Sequence, residues 1–227
     1  VLHNKAQKQW VNLYNLLTYD LGAKVVLTPP AVGMVDMVFA ANAALVKGNR
    51  AVVANFAVPA RQGETIPYKS ILDKIGFETF VPEVEFEGQG DALFSHGGNH
   101  LWIGHSFRTT EVSHREVGDF LGMNYGRNVN SLCLINPKFY HLDTCFCPLD
   151  RGHLLFYPKA FSSSDTDLIY DKFGRDNCIE VCDEDADNFA CNAISLDNNV
   201  ILNKASYKLK YDLEKHGYAV YENDMSE

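Results

Sequence analysis

The sequence predicts an α/β fold assembled from repeated ββαβ units. Three observations carry this: an Asp- or Asn-led apolar segment that recurs, a Gly/Asn turn after each copy, and helical periodicity ahead of a closing strand. The four copies are Asp36-Met-Val-Phe-Ala-Ala-Asn-Ala-Ala-Leu-Val, Asp91-Ala-Leu-Phe-Ser, Asp143-Thr-Cys-Phe-Cys-Pro-Leu and Asn188-Phe-Ala-Cys-Asn-Ala-Ile-Ser-Leu. Their starts lie 55, 52 and 45 residues apart.

Each copy leads through a turn into a second strand: Asn49-Arg-Ala-Val-Val-Ala, Asn99-His-Leu-Trp-Ile-Gly, Gly152-His-Leu-Leu-Phe-Tyr and Asn198-Asn-Val-Ile-Leu-Asn. Such turns between apolar runs read as hairpins. A helix follows, over residues 67–75 in the first unit, with Ile71, Leu72 and Ile75 at helical spacing. In the last unit it covers 206–216 and ends at Gly217. Closing strands are expected at 77–81, 130–135, 178–182 and 218–222. The N-terminus supplies only the back half of a unit: a helix over 7–21, with Trp10, Leu13, Tyr14, Leu17 and Leu21 on one face, then a strand over 24–27. Four whole units and one half result. A ring of such units needs the missing hairpin to close, or it leaves open sheet edges. Residues beyond Glu227 are expected to supply part of that hairpin. The chain also starts at Val1 rather than Met, so residues 1–227 are expected to be a single domain truncated at both ends.

Composition narrows the function classes. The hydrophobic fraction of 46% and charged fraction of 22% are those of a soluble globular protein. A net charge of -9 argues against nucleic-acid binding and suits a cationic ligand, although acidity also serves solubility. Six cysteines in 227 residues are too sparse for a disulfide scaffold, so a reducing, cytoplasmic location is expected. No run approaches the roughly 18 apolar residues of a membrane span.

The polar residues that stand out lie at the starts of the repeated hairpins. In a ring, equivalent positions converge on the axis. The set is Asp36 and Asn42, Glu87 and Asp91, His141 and Asp143, with Asn188 and Asn192. Carboxylates around one histidine read as an acid–base or a metal site. His141 and Asp143 share a strand face, but no second histidine has ligand-like spacing, and His96, His100 and His105 lack a matching carboxylate pattern. No metal is therefore expected. A guanidinium is planar, carries five donors and wants carboxylates in a fork, which Asp36, Glu87 and Asp143 can supply. Arg61 and Arg108 follow second strands and are candidates to hold a substrate α-carboxylate; a structural ion pair is the alternative for each. Cys145 and Cys147 read as strand-core residues.

Glu85-Phe-Glu-Gly-Gln-Gly-Asp91, Phe139-Tyr-His-Leu-Asp-Thr-Cys-Phe-Cys-Pro-Leu149 and Asp36-Met-Val-Phe-Ala-Ala-Asn42 resemble the guanidine-modifying superfamily. That group contains arginine deiminases, dimethylargininases, amidinotransferases and arginine dihydrolases. Asn188-Phe-Ala-Cys-Asn-Ala and Leu202-Asn-Lys-Ala-Ser are most similar to the dihydrolase branch. The resemblance covers essentially the whole chain. It implies a five-unit ββαβ propeller (a pentein), with the fifth unit incomplete here. It also implies a mechanism in which a Cys thiolate attacks the guanidinium carbon. His141 protonates the leaving amine and then activates water. By the same resemblance Glu87 partners the guanidinium and His141, and Asp143 binds guanidinium nitrogens. Asp36 and Arg108 contact the amino-acid end, with Arg61 a further candidate there, and Asp91 joins the binding set. No metal or organic cofactor is implied. The expected partner is a small molecule, arginine or a methylated arginine, and a homo-oligomer is the expected assembly.

Two departures from the family pattern matter. The family nucleophile lies in a Gly-rich segment past a stretch like Tyr221-Glu-Asn-Asp-Met-Ser-Glu227, where this sequence ends, and none of the six cysteines occupies that position. Asn42 stands where deiminases and dimethylargininases carry an Asp. An Asn donates to a ureido carbonyl as well as accepting from an N–H, so it can retain citrulline for a second hydrolysis to ornithine. A two-step arginine hydrolase is thus the first expectation. An enzyme stopping at citrulline, or a dimethylargininase, is the second. An arginine-binding protein without turnover is the third.

Overall fold

The computed structural model describes residues 2–227. The chain opens with α1 (His3–Asn15), prolonged by a π-type turn over Leu16–Asp20. Four units follow. The first is β1 (Ala44–Lys47), β2 (Arg50–Val53), α2 (Thr65–Lys74) and β3 (Glu78–Phe80). The second opens with the single turn α3 (Gly88–Asp91), then β4 (Ala92–Ser95), β5 (His100–His105), α4 (Ser113–Leu121) and β6 (Val129–Cys133). The third is β7 (Phe146–Pro148), β8 (Leu154–Phe156), α5 (Ser163–Phe173) and β9 (Cys178–Glu180). The fourth opens with α6 (Asp183–Asp187), then β10 (Ile194–Leu196), β11 (Asn199–Leu202), α7 (Tyr207–Lys215) and β12 (Ala219–Glu222).

Among the described residues the strands form four three-stranded sheets of one topology: an antiparallel hairpin whose second strand pairs in parallel with the third. A parallel partner needs a crossover, and the helix of each unit supplies it. Local chemistry explains the corners. Asp197 and Asn198 both take positive φ, 47° and 64°, in the two-residue turn between β10 and β11, as a hairpin with right-handed strand twist demands. Ser162 and Ser206 cap α5 and α7, each hydroxyl accepting from the backbone N–H three residues on, at 3.2 Å. Neighbouring units share apolar cores, one from Leu45 and Val52 to Ile103 and Val129, and a larger one from Trp102 and Phe146 to Leu209 and Leu213. Among the described residues no helix is long and apolar enough to cross a membrane.

The structure corrects the reading of the strand ends. Residues 24–27 form no strand, so the N-terminal half-unit contributes only its helix, and Val26 and Leu27 stay more than half exposed. The apolar face of α1 is likewise only partly covered: Trp10 stacks on Tyr14 but is 48% exposed. The described residues make four sheets, as many as the whole units that the repeat predicts. The first strands also start later than the apolar runs suggest. Asp36 and Asn42 sit on 3-10 turns ahead of β1, and Asp143 on another ahead of β7. Their Asp, Asn and Thr side chains favour local turns over ladder pairing. Asn188 does not join the other polar residues; its amide bonds the Glu184 carbonyl, and the buried carboxylate of this unit is Asp185, held by Ser206.

The chain's two ends meet. The Leu2 N–H donates to the Glu227 carboxylate at 2.9 Å, and buried Gln9 on α1 exchanges hydrogen bonds with Ser226 and Glu227. The tail after β12 therefore returns to the helix with which the chain began.

Candidate active site

Three of the turns that lead into first strands pack together: Ala40–Ala43, α3 and Leu142–Thr144. Two glycines make this approach possible. A Cβ on Gly88, which has φ of +60°, would lie 2.6 Å from the Asn42 carbonyl oxygen; one on Gly90 would lie 2.1 Å from Asn42 Nδ2. The spacing Glu-Gly-Gln-Gly-Asp is thus a packing requirement. It lets a backbone turn carry two buried carboxylates against the neighbouring unit.

His141 stands at the centre and is 6% exposed. Its Nδ1 is 3.1 Å from Asp91 Oδ1, and its Nε2 is 3.4 Å from both Glu87 Oε2 and Asn42 Nδ2. Asp91 is buried and fully used: Oδ1 also accepts from Leu142 N–H at 3.1 Å, and Oδ2 accepts from the Thr109 hydroxyl at 2.7 Å. Glu87 is fully buried, accepting from Ala57 N–H at 3.2 Å and pairing with Arg108 Nη1 at 3.3 Å. The Thr109 hydroxyl accepts from Glu87 N–H at 3.0 Å, so Arg108 and Thr109 together clamp both ends of α3's acidic motif. The loop that carries them bends at Ser106, whose φ of 122° is strained for a residue with a side chain.

The electrostatics follow from this packing. Burial alone would lower the His141 pKa, but the Asp91 hydrogen bond and the charges of Asp91, Asp143 and Glu87 outweigh it, and the imidazole titrates above its ordinary value. Burial pushes the Asp143 carboxyl up to about 7, with the Asp91 charge adding to the rise and the His141 charge opposing it. The arrangement can hold a proton on Nε2, facing Glu87, and release it to a group bound beside both. When Nε2 is unprotonated, it can instead accept from Asn42.

The predicted residues thus fall into distinct places. Glu87, Asp91, His141 and Asn42 form one connected network, with Arg108 at its edge, 23% exposed and lying over the Tyr140 ring at 4.7 Å. Asp143 is linked to His141 by charge. Asp36 reaches the network through its backbone, its carbonyl accepting from Arg61 Nη2 at 3.2 Å. Arg61 is 5% exposed and engages four of its five N–H groups inside the protein, on Glu64, Asn42 and Asp36. Asn192 touches the rim, donating to the Asp143 carbonyl at 3.3 Å. Cys145 and Cys147 are core residues: burial raises both thiols, Cys147 to about 12 and Cys145 well above its ordinary value. Sequence reasoning missed Glu64 and Thr109. The dipeptide Arg108-Thr109 and the i, i+3 spacing of Arg61 and Glu64 were visible, but what makes these residues matter is burial against other turns.

Comparison with known proteins places the chain in a family. Residues 1–214 match the eukaryotic N,N-dimethylarginine dimethylhydrolase family. The bifunctional arginine dihydrolase/ornithine cyclodeaminase AgrE of Nostoc sp. is 41% identical over 226 residues, which is 99% of this chain and 31% of that protein. This chain therefore spans about a third of the length of that relative. The N(G),N(G)-dimethylarginine dimethylaminohydrolase of Mycobacterium tuberculosis is 36% identical, covering 98% of this chain and 70% of that one. The N-terminal domain of ArgZ, an arginine dihydrolase from the ornithine–ammonia cycle in cyanobacteria, solved bound to substrate, superposes with a TM-score of 0.93 at 40% identity, covering 98% of this chain and 81% of that chain. With its paired acidic turn, its histidine and its repeated sheets, the chain belongs to the dimethylarginine dimethylhydrolase family, within the guanidine-modifying superfamily.

Proposed function

We propose that this chain is the guanidine-hydrolysing domain of an arginine dihydrolase, converting arginine and two waters to ornithine, carbon dioxide and two ammonia. The observation that carries the reading is His141 held between Asp91 on Nδ1 and Glu87 on Nε2, with Asn42, not a carboxylate, on the third side. The 40% identity to a substrate-bound arginine dihydrolase domain supports it.

In this mechanism the thiolate comes from the segment that the resemblance places after Glu227. It attacks the guanidinium carbon, which Glu87 and Asp143 hold through the substrate N–H groups. Arg108 receives the α-carboxylate, and Asp36 lies toward the same end. Protonated His141 gives its Nε2 proton to the departing ammonia, leaving a cationic thiouronium on sulfur. Neutral His141 then takes a proton from water as that water attacks the same carbon, and the C–S bond breaks to free citrulline. Asn42 donates to the ureido oxygen and keeps citrulline in place for a second round, which ends in ornithine. Cys145, Cys147 and Cys191, which are buried thiols with raised pKa, are poor candidates for the nucleophile.

The test is product analysis of the full-length protein by mass spectrometry. Ornithine is expected from the wild type and citrulline from Asn42→Asp. An Asn42→Asp enzyme that still gives ornithine as sole product sinks the reading. The match to the dimethylarginine dimethylhydrolase family favours a second reading, in which methylated arginine is cleaved to citrulline and an amine; the same assay separates the two.

We further infer that the four sheets belong to a five-unit propeller and that residues 1–227 all belong to one catalytic domain. The common topology of the sheets, the return of the chain's end to α1 and the uncovered apolar residues around Trp10 and Val26 support this. Six free cysteines accord with a reducing, cytoplasmic setting, and a homo-oligomer remains the proposed assembly.

A further inference from the structure

We infer that Thr109 is a positioning residue of the acid–base step: its hydroxyl, fixed in direction by the Glu87 backbone N–H, keeps Asp91 an acceptor and so confines the proton exchange of His141 to Nε2. The inference rests on the reading of His141 as general acid and base and goes beyond it by assigning what fixes its protonation.

The direction of each bond follows from the groups themselves. A backbone N–H can only donate, so the Glu87 N–H, at 3.0 Å, takes a lone pair of Thr109 Oγ1. The hydroxyl keeps one proton, and Asp91 Oδ2 receives it at 2.7 Å. The other oxygen, Oδ1, accepts from the Leu142 N–H, again an obligatory donor, at 3.1 Å. Hydrogen bonds to the charged form of a carboxylate favour that form. The proton shared across the 3.1 Å contact between Oδ1 and His141 Nδ1 therefore stays on the ring. Nε2, which faces Glu87 and Asn42, is left as the nitrogen that gains and loses a proton.

Thr109 is held for this task. It is 2% exposed, and its branched side chain has few rotamers. Its carbonyl accepts from the Ser106 N–H at 3.3 Å, and the Thr110 N–H donates to the Glu85 carbonyl at 3.0 Å, so its loop is tied to the segment that carries Glu87.

A hydroxyl that only anchored the loop would leave the proton where it is. Removing a donor from Asp91, in contrast, makes that carboxylate a stronger base. In the protonated pair the proton on Nδ1 then shifts toward Oδ1, and the neutral imidazole that results is a much weaker acid at Nε2. The pair as a whole holds its exchangeable proton more tightly. The rate should therefore fall while its alkaline limb moves to higher pH, opposite in sign to loss of the Asp91 charge itself. The other groups around the ring, Glu87 with Arg108 on it, Asp143, Asn42 and the Tyr140 ring, keep their charges in this change.

The full-length enzyme tests this with Thr109→Val, which has the same shape without the hydroxyl, and Thr109→Ser, which keeps it. Loss of a hydrogen bond to a charged group predicts a roughly 10- to 100-fold fall in kcat/KM on arginine for Thr109→Val, with the limb displaced upward, and Thr109→Ser should restore both. Titration of His141 by nitrogen-15 NMR, its signals assigned with His141→Gln, reads the same proton without turnover: the midpoint should rise in Thr109→Val and return in Thr109→Ser. The inference is overturned if Thr109→Val loses rate equally at every pH with limb and midpoint unmoved, if the midpoint falls, or if Thr109→Val matches the wild type. Should His141→Gln hydrolyse arginine at the wild-type rate, the acid–base reading fails on its own, and the NMR midpoint still decides what Thr109 does. Should Thr109→Val lack a native near-UV circular dichroism spectrum, Thr109→Ala carries the same comparison.

Discussion

Replacing Asp91 by Asn isolates the charge that sets the proton affinity of His141. The two side chains have the same shape, and Asn Oδ1 can still accept from Nδ1–H and from Leu142 N–H, each 3.1 Å from the present oxygen. What disappears is a full negative charge beside a buried ring, together with the bond the Thr109 hydroxyl donates to Oδ2, since that hydroxyl must turn to accept from the new Nδ2. An opposite charge at this range raises a pKa by about 1–3 units. Glu87 and Asp143 remain and keep part of that rise. A fall in the His141 pKa is therefore expected, short of the full loss of the rise. The assay is kcat/KM of the full-length enzyme on arginine as a function of pH. Its alkaline limb, where His141 loses the proton it must donate, should move to lower pH, with a rate loss of about 10- to 100-fold on the alkaline side, the worth of one hydrogen bond to a charged group. Stability gives a second sign. The folded pKa of His141 lies above its unfolded value, so its contribution is full below the unfolded pKa and is lost as pH rises through the folded one. Asp91→Asn should therefore lower the melting temperature more at pH 6 than at pH 9. A rate that falls equally at every pH with the limb unmoved would refute the reasoning, leaving Asp91 as a support for the Leu142 backbone.

Three further outcomes are expected. Gly90→Ala would force its methyl onto Asn42 Nδ2, 2.1 Å away, and displace the 40–43 turn; a shift approaching 1 Å should cost about 100-fold in kcat/KM, while unchanged kinetics would contradict the packing account. Arginine affinity should weaken as pH falls below about 7, because the cation needs Asp143 ionised, and calorimetry in two buffers should show proton release near that pH; in Asp143→Asn both effects should vanish. The raised Asp143 pKa also means that stability falls as pH climbs from the ordinary carboxylate range through about 7, and that the Asn variant loses this slope. Cys145→Ala and Cys147→Ala should keep turnover within about threefold and cost about 1 kcal/mol of stability each, measured by urea denaturation; loss of all activity with the fold intact would assign one of them to the chemistry.

Much of the molecule was legible in its order of residues because the information is local. Apolar runs of strand length, turn residues between them and helix caps at Ser162 and Ser206 act within a few positions of themselves, and they suffice for the ββαβ repeat. The acidic motif around Glu87 and the His141 segment could be read as a site because polar residues recurred where each unit begins. The strand at 24–27 was misread for the complementary reason: an apolar run becomes a strand only where an edge pairs with it, and here none does. The family resemblance already paired Glu87 with His141, but the contacts of the other site residues were beyond the sequence. Whether Asp91 meets a substrate or the ring of His141, fifty residues away, depends on two glycines letting one turn press against another. Whether Arg61 faces solvent, substrate or the Asn42 amide depends on Glu64 and Phe56 closing around it. Burial converts these side chains from titratable surface groups into fixed partners, and burial belongs to the assembled units, so the acid–base network and the orientation of Asn42 were decided only by the tertiary structure.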